Sequence, residues 1–319
     1  MYFPVADIEV SPLVPPLIAF VISFFTSMGG VSGAFLLLPF QVSVLGFTSP
    51  AVSSTNQLFN IVAIPSGVYR YLKEGRMLWP LTWVVIIGTL PGVLVGAIVR
   101  IKYLPDPKNF KLFAGLVLLY IGGRLLKDLT WSNKKADTPT TEERFQRWLT
   151  QQTRATEKEP PPSPEHLPRV KVHQWTPTRI VYEFYGETFT VNALGLMALC
   201  LVVGMVGGIY GIGGGAIIAP FLVSFFGLPI YTVAGASLMG TFVTSVAGVL
   251  FYQMLAPHYP DMVIAPDWLL GFLFGIGGFA GMYCGARLQK FVPAKFIKWI
   301  LAACLIFTAG KYISPFFLS

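Results

Sequence analysis

The chain has 319 residues, 54% of them hydrophobic and 12% charged, with a mean hydropathy of +0.64. A soluble domain carries about 25% charged residues, so this composition excludes an ordinary soluble enzyme and indicates an integral membrane protein. The net charge of +8 sits in the loops between apolar runs. That placement points to topology and membrane lipid headgroups as partners, not to nucleic acid.

In chain order, Met1–Val10 contains Asp7 and Glu9 but no Lys or Arg, so it lacks the basic start of a cleaved signal peptide. Leu13–Met28 is an apolar run of 16 residues, short against the roughly 20 that a membrane-crossing helix needs. Gly29-Gly30-Val31-Ser32-Gly33 breaks it, and Ala34–Leu45, with Pro39 inside, is a second short run. A turn at Gly46–Pro50 opens a longer helix from Ala51 to Tyr71, which ends in the basic loop Arg70–Arg76. Leu78–Val99 is a full span and Lys111–Leu126 closes the first half.

Asp128 to about Thr190 differs in character. Thr140-Thr141-Glu142-Glu143 reads as a capping box opening a polar helix to about Lys158, and Pro160–Pro164 as a stiff linker. Beyond it, RIVYEFY and ETFTV flank Gly186 with alternating apolar residues, the pattern of a β-hairpin. His166 and His173 stand alone and read as solvated. Cys200, Cys284 and Cys304 lie in separate apolar runs without ligand spacing, so they read as packing residues. No cofactor or metal is expected.

From Val191 the first half recurs. A shift of 181 places PFQVSVLGF (Pro39–Phe47) on PFLVSFFGL (Pro220–Leu228), Gly30 on Gly211, Gly33 on Gly214 and Gly67 on Gly248. After an insertion near Pro257 the shift becomes 189, and Gly88, Gly92 and Gly96 fall on Gly277, Gly281 and Gly285. Both triplets are small-xxx-small faces for close helix approach. In each half the two short elements change sides an even number of times, so each half crosses an odd number of times and the second is inverted. With the N-terminus outside, the cytoplasmic side receives 18 of the 23 Lys and Arg, and the Pro257–Asp267 loop, which has neither, faces outward. The expected fold is an all-α integral membrane protein of two inverted-topology repeats, about five helical elements each, with a small soluble α+β insert between them. The boundaries are 12–128 for the first repeat, 129–190 for a cytoplasmic insert and 191–314 for the second repeat.

Gly211–Thr241 is the stretch around which function is read. GIGGGA satisfies a dinucleotide-loop pattern, but Pro220 interrupts the helix that this pattern requires, and no Asp or Glu occurs from Phe189 to Pro260. Irregular backbone in an apolar region is tolerated where it is packed in protein or lines a cavity. Asn56 and Asn60, with Ser53 and Gln57 beside them, fall on Ser237 and Thr241 under the repeat. Both halves thus put neutral donors just after a Gly/Pro turn. The glycine loops, with Gly30, Gly33, Gly211, Gly213 and Gly214, add backbone N–H groups. Such a set suits a small anion bound near the midplane of a secondary transporter. The alternative for the same residues is helix-to-helix bonding with no ligand. No acid, base or metal cluster suggests an enzyme.

The duplicated cassette resembles the TauE/SafE family of sulfite and organosulfonate permeases, also grouped as the toluene-sulfonate uptake permease family. The likeness is clearest at GIGGGAIIAPFLVSFFGLPIYTVAGASL and extends over about 20–127 and 195–313. It implies transport of a small sulfur-containing anion, such as sulfite or a sulfonate, across the cytoplasmic (inner) membrane of a prokaryote. An anion channel, or a membrane scaffold acting through the insert, are the competing expectations.

Overall fold

The structure is a computed structural model, which describes residues 1–28, 31–73, 75, 77–131, 170–184, 186–288 and 294–317. The expected capping-box helix and His166 lie outside the described residues, as does Gly30. After a short antiparallel pair, β1 (Tyr2–Phe3) and β2 (Ile8–Glu9), the first half comprises α1 (Val14–Met28), α2 (Ala34–Ser43), α3 (Ala51–Lys73), α4 (Trp79–Lys102) and α5 (Pro107–Trp131). The second comprises α6 (Ala193–Tyr210), α7 (Gly215–Phe226), α8 (Ile230–Leu255), α9 (Trp268–Leu288) and α10 (Ala294–Phe317). Among the described residues, five stretches are long and apolar enough to cross a membrane: Trp79–Lys102, Pro107–Lys127, Ala193–Tyr210, Thr232–His258 and Trp268–Arg287. The chain is therefore a mostly helical, multi-pass membrane protein.

The glycine faces set the packing. α4 lies along α6, and α9 lies along α1. A Cβ added at Gly92 would run into the Leu201 carbonyl, and one at Gly96 into that of Met205. In the other half, Gly277, Gly281 and Gly285 face the backbone of Pro16, Phe20 and Phe24. Each glycine-faced helix therefore packs on the first helix of the opposite half. α3 packs on α9 as well as on α8, α8 packs on α4, and α5 pairs with α10. On the far side of α4, Trp79, Trp83, Ile87 and Val95 are exposed, as are Trp268, Phe272, Ile276 and Phe279 on α9. Those faces suit a lipid-facing surface, with Trp79 and Trp268 at equivalent positions.

Between the halves, β3 (Lys171–Trp175), β4 (Arg179–Phe184) and β5 (Glu187–Asn192) form an antiparallel sheet. The hairpin read from the alternation is β4–β5, turning at Gly186 in the left-handed region with φ 76°. The third strand was not expected, because every residue of β3 is exposed and no buried face imposes an alternation. His173 is not alone: its Nε2 lies 2.9 Å from Glu183 Oε2 on the neighbouring strand. Ile180, Tyr182, Phe184 and Val191 are buried in the same core cluster as the long helices. Tyr182 reaches the first turn of α8, with its hydroxyl 3.0 Å from Thr232 Oγ1. Burial holds the Tyr182 phenol up at about 12. The three cysteines are free thiols, with Cys200 buried.

Candidate functional site

The second glycine break is held between α3 and α8. α6 ends as Gly211 turns into the left-handed region (φ 80°), and the Gly211 and Ile212 N–H groups donate back to the Gly207 carbonyl. Gly213 is also left-handed, at φ 76°. An L-residue resists both conformations, and at Gly211 a side chain would also strike the Ser53 backbone. Gly214 caps α7 and sits against the side chain of Thr89, leaving no room for a Cβ. In the first half, Gly33 likewise precedes α2 and lies 2.9 Å, at its would-be Cβ, from Ser23 Oγ.

All four expected donors on α3, Ser53, Asn56, Gln57 and Asn60, are fully buried, and so is Thr241 on α8; Ser237 is 2% exposed. The two asparagines grip the loop. Asn56 Nδ2 donates to the Gly211 carbonyl at 3.0 Å and to the Ala34 carbonyl at 3.0 Å. Its Oδ1 accepts from Gln41 Nε2 at 3.2 Å. Asn60 Nδ2 donates to the Ile212 carbonyl at 2.9 Å and to Ser245 Oγ at 3.3 Å, while its Oδ1 accepts from Ser32 Oγ. Both amides are thus fully committed to protein partners in this conformation. Sequence reasoning misses their partners Ser32, Gln41 and Ser245, because a lone Ser or Gln in an apolar run carries no spacing signal.

On α8 the hydroxyls turn back onto their own helix. Thr241 Oγ1 donates to the Ser237 carbonyl at 2.8 Å, and Thr244 Oγ1 to that of Gly240 at 2.7 Å while accepting from Gly214 N at 3.1 Å. Such bonds to the preceding turn satisfy a hydroxyl without a neighbour. The Ser53 hydroxyl makes a long 3.5 Å bond to the Ile209 carbonyl. Ser237 Oγ and both amide atoms of Gln57 are buried without a hydrogen-bond partner. Each such group costs about 1–3 kcal/mol while it stays unpaired.

Two charged residues are buried among the described residues, Arg100 and Asp267. Arg100, one turn beyond Gly96, is completely buried instead of standing in the outer loop. Its Nη1 donates to the Leu104 carbonyl, and its guanidinium carbon lies 3.9 Å from the Phe110 ring centroid. No group of three or more His, Cys, Asp or Glu with metal-site proximity occurs among the described residues.

The family described as "Sulfite exporter TauE/SafE" matches residues 16–312, which takes in both helical halves and the segment between them. The chain belongs to this family. No curated protein and no solved structure matches it. Membership makes the chain a membrane transporter of a sulfur compound, and the family's name specifies export of sulfite. TauE/SafE is a transporter family, so the buried polar residues are read for binding and movement of a solute.

Proposed function

We propose that the chain is a secondary transporter that carries sulfite or a small sulfonate across the cytoplasmic membrane of a prokaryote. The site lies between α3 and α8, where the two halves meet. The observation that carries the reading is the grip of Asn56 and Asn60 on the Gly211 and Ile212 carbonyls. An anion oxygen competes with those carbonyls for the same amide hydrogens, because carboxamide N–H groups bond more strongly to a charged acceptor. Substrate arrival then exchanges loop carbonyls for substrate oxygens and releases the glycine loop. Ser237 and Gln57, already unpartnered, supply further donors near this exchange. Ser53, Thr241 and the glycine loops Gly30–Gly33 and Gly211–Gly214 complete the binding region.

The inverted repeat supplies the two faces. Exchanging the halves converts the α4–α6 pairing into α9–α1, and the α8–α4 pairing into α3–α9, while α3–α8 and α5–α10 map onto themselves. A contact set that survives this exchange supports a pseudo-two-fold axis through the α3–α8 contact. A site on such an axis in the membrane plane is reached alternately from the two sides as one half rocks against the other.

The reading is tested by thermal unfolding of the purified full chain with sulfite, thiosulfate, taurine, sulfoacetate, an aromatic sulfonate and sulfate. A bound substrate at about a hundred times its Kd stabilises the folded state by about 2.7 kcal/mol. Stabilisation by at least one sulfur anion, saturable and accompanied by flux into proteoliposomes, is expected. Single-channel currents in place of saturable flux would establish a channel and overturn the carrier reading.

A further inference from the structure

Arg100 is a fully buried cation with no carboxylate partner among the described residues. Of its donors, Nη1 is used by the Leu104 carbonyl, while Nε and Nη2 are enclosed with no hydrogen-bond partner. Nε–H and Nη2–H form the side-on edge of the guanidinium, two parallel donors spaced for two oxygens of one anion. A buried charge is normally paired, and no ion pair to Arg100 is present among the described residues. Phe110 covers one face of the plane, so the edge is the part left for a ligand.

Two further unpartnered polar side chains, Tyr252 and Gln57, lie on the helices α8 and α3. Tyr252 packs in one buried cluster with Ala97 and Ile101, which flank Arg100 on α4. It closes no hydrogen bond of good geometry and is fully buried. Gln57, one turn along α3 from Ser53, packs on Gly248, one turn along α8 from Tyr252. Its carboxamide is likewise without a partner. The repeat shows that packing does not require that carboxamide. Leu238 occupies the position equivalent to Gln57 and lies 3.4 Å from the would-be Cβ of Gly67, the equivalent of Gly248. An apolar side chain therefore fills the same role in the other half.

We infer that Arg100, Tyr252 and Gln57 form an oxyanion subsite, in which the side-on edge of Arg100 takes two oxygens of a sulfite or sulfonate group and Tyr252 and Gln57 donate to it. This deepens the transport reading above and rests on it: it gives the substrate's negative charge a counter-charge that the neutral asparagine node lacks. It also restricts the substrate class, because a side-on fork needs at least two oxygens on one centre. Halide lacks them.

The test uses the full chain with Tyr252→Phe and Gln57→Leu, read by sulfite-dependent thermal shift and by KM for sulfite flux into proteoliposomes, with chloride at equal ionic strength as control. Both substitutions remove groups that are unpartnered in the empty protein, so melting without sulfite should be unchanged or raised. Apparent affinity should fall roughly ten- to a hundredfold for each, the loss of one hydrogen bond to a charged oxygen. Arg100→Gln should abolish the sulfite shift; should it fail to fold, the other two variants still decide. Flux in the wild-type protein with KM unchanged in both variants overturns this subsite alone. Absence of both shift and flux in the wild-type protein overturns the transport reading and this inference with it.

Discussion

At the scale of single residues, Asn56 and Ser237 occupy equivalent positions in the two halves and do different work. Asn56 fills three hydrogen bonds, two to α2 and one to the glycine loop, whereas Ser237 Oγ fills none. Asn56→Ala should therefore destabilise the protein by about 2–3 kcal/mol, since it strands buried partners. Ser237→Ala should stay within about 0.5 kcal/mol of the parent and lose affinity for sulfite instead. Thermal unfolding beside a binding titration separates the two; an Asn56→Ala protein that melts like the parent would remove the asparagine node from the account of loop closure. Sequence reasoning expects the two positions to behave alike, because the repeat aligns them and spacing says nothing of which bonds are already made. Arg100 escapes it for a related reason. A basic residue at a helix end reads as solvated, and only the return of Leu104 and Phe110 over the guanidinium turns it inward.

Among the elements, the seams α4–α6 and α9–α1 are governed by glycine. Gly92 meets the backbone of Leu201, Gly204 and Met205, and Gly281 meets that of Phe20, so neither neighbour can yield as a flexible side chain would. Leucine at either position should lower folded yield severely, while affinity in whatever protein survives stays near that of the parent. Size-exclusion recovery and sulfite titration check this; a Gly281→Leu protein recovered at normal yield with lost affinity would place that face on the substrate path. These seams are legible in the sequence because a four-residue glycine spacing has few other physical uses in an apolar helix. The sheet is legible in part. Buried alternation marks β4 and β5, with Ile180, Tyr182 and Phe184 inward, but β3 hangs on the outer edge and buries nothing. Nor can alternation foretell that the inward face joins the helical core and meets Thr232, since that contact depends on where α8 starts.

For the molecule as a whole, topology is the quantity to measure. With native cysteines removed, single cysteines at Asp7 and Asp261 should react with an impermeant thiol reagent in intact cells, and one at Lys158 should react after lysis alone. Labelling of Lys158 in intact cells with Asp261 protected would reverse the orientation, and equal labelling of the Arg70–Arg76 and Pro257–Asp267 loops would remove the inversion. The exchange of partners between the halves has a further consequence, for biogenesis. α4 needs α6, which follows it by roughly a hundred residues, but α1 needs α9, whose first residue is synthesised some 240 residues after Met28. At about 5–20 residues per second of synthesis, α1 waits roughly 12–50 s with the side that will meet Gly277, Gly281 and Gly285 unoccupied. The seams are equivalent in space and unequal in time, so a chain interrupted before Trp268 can close the seam of α4 and leaves that of α1 open to proteolysis or a borrowed neighbour.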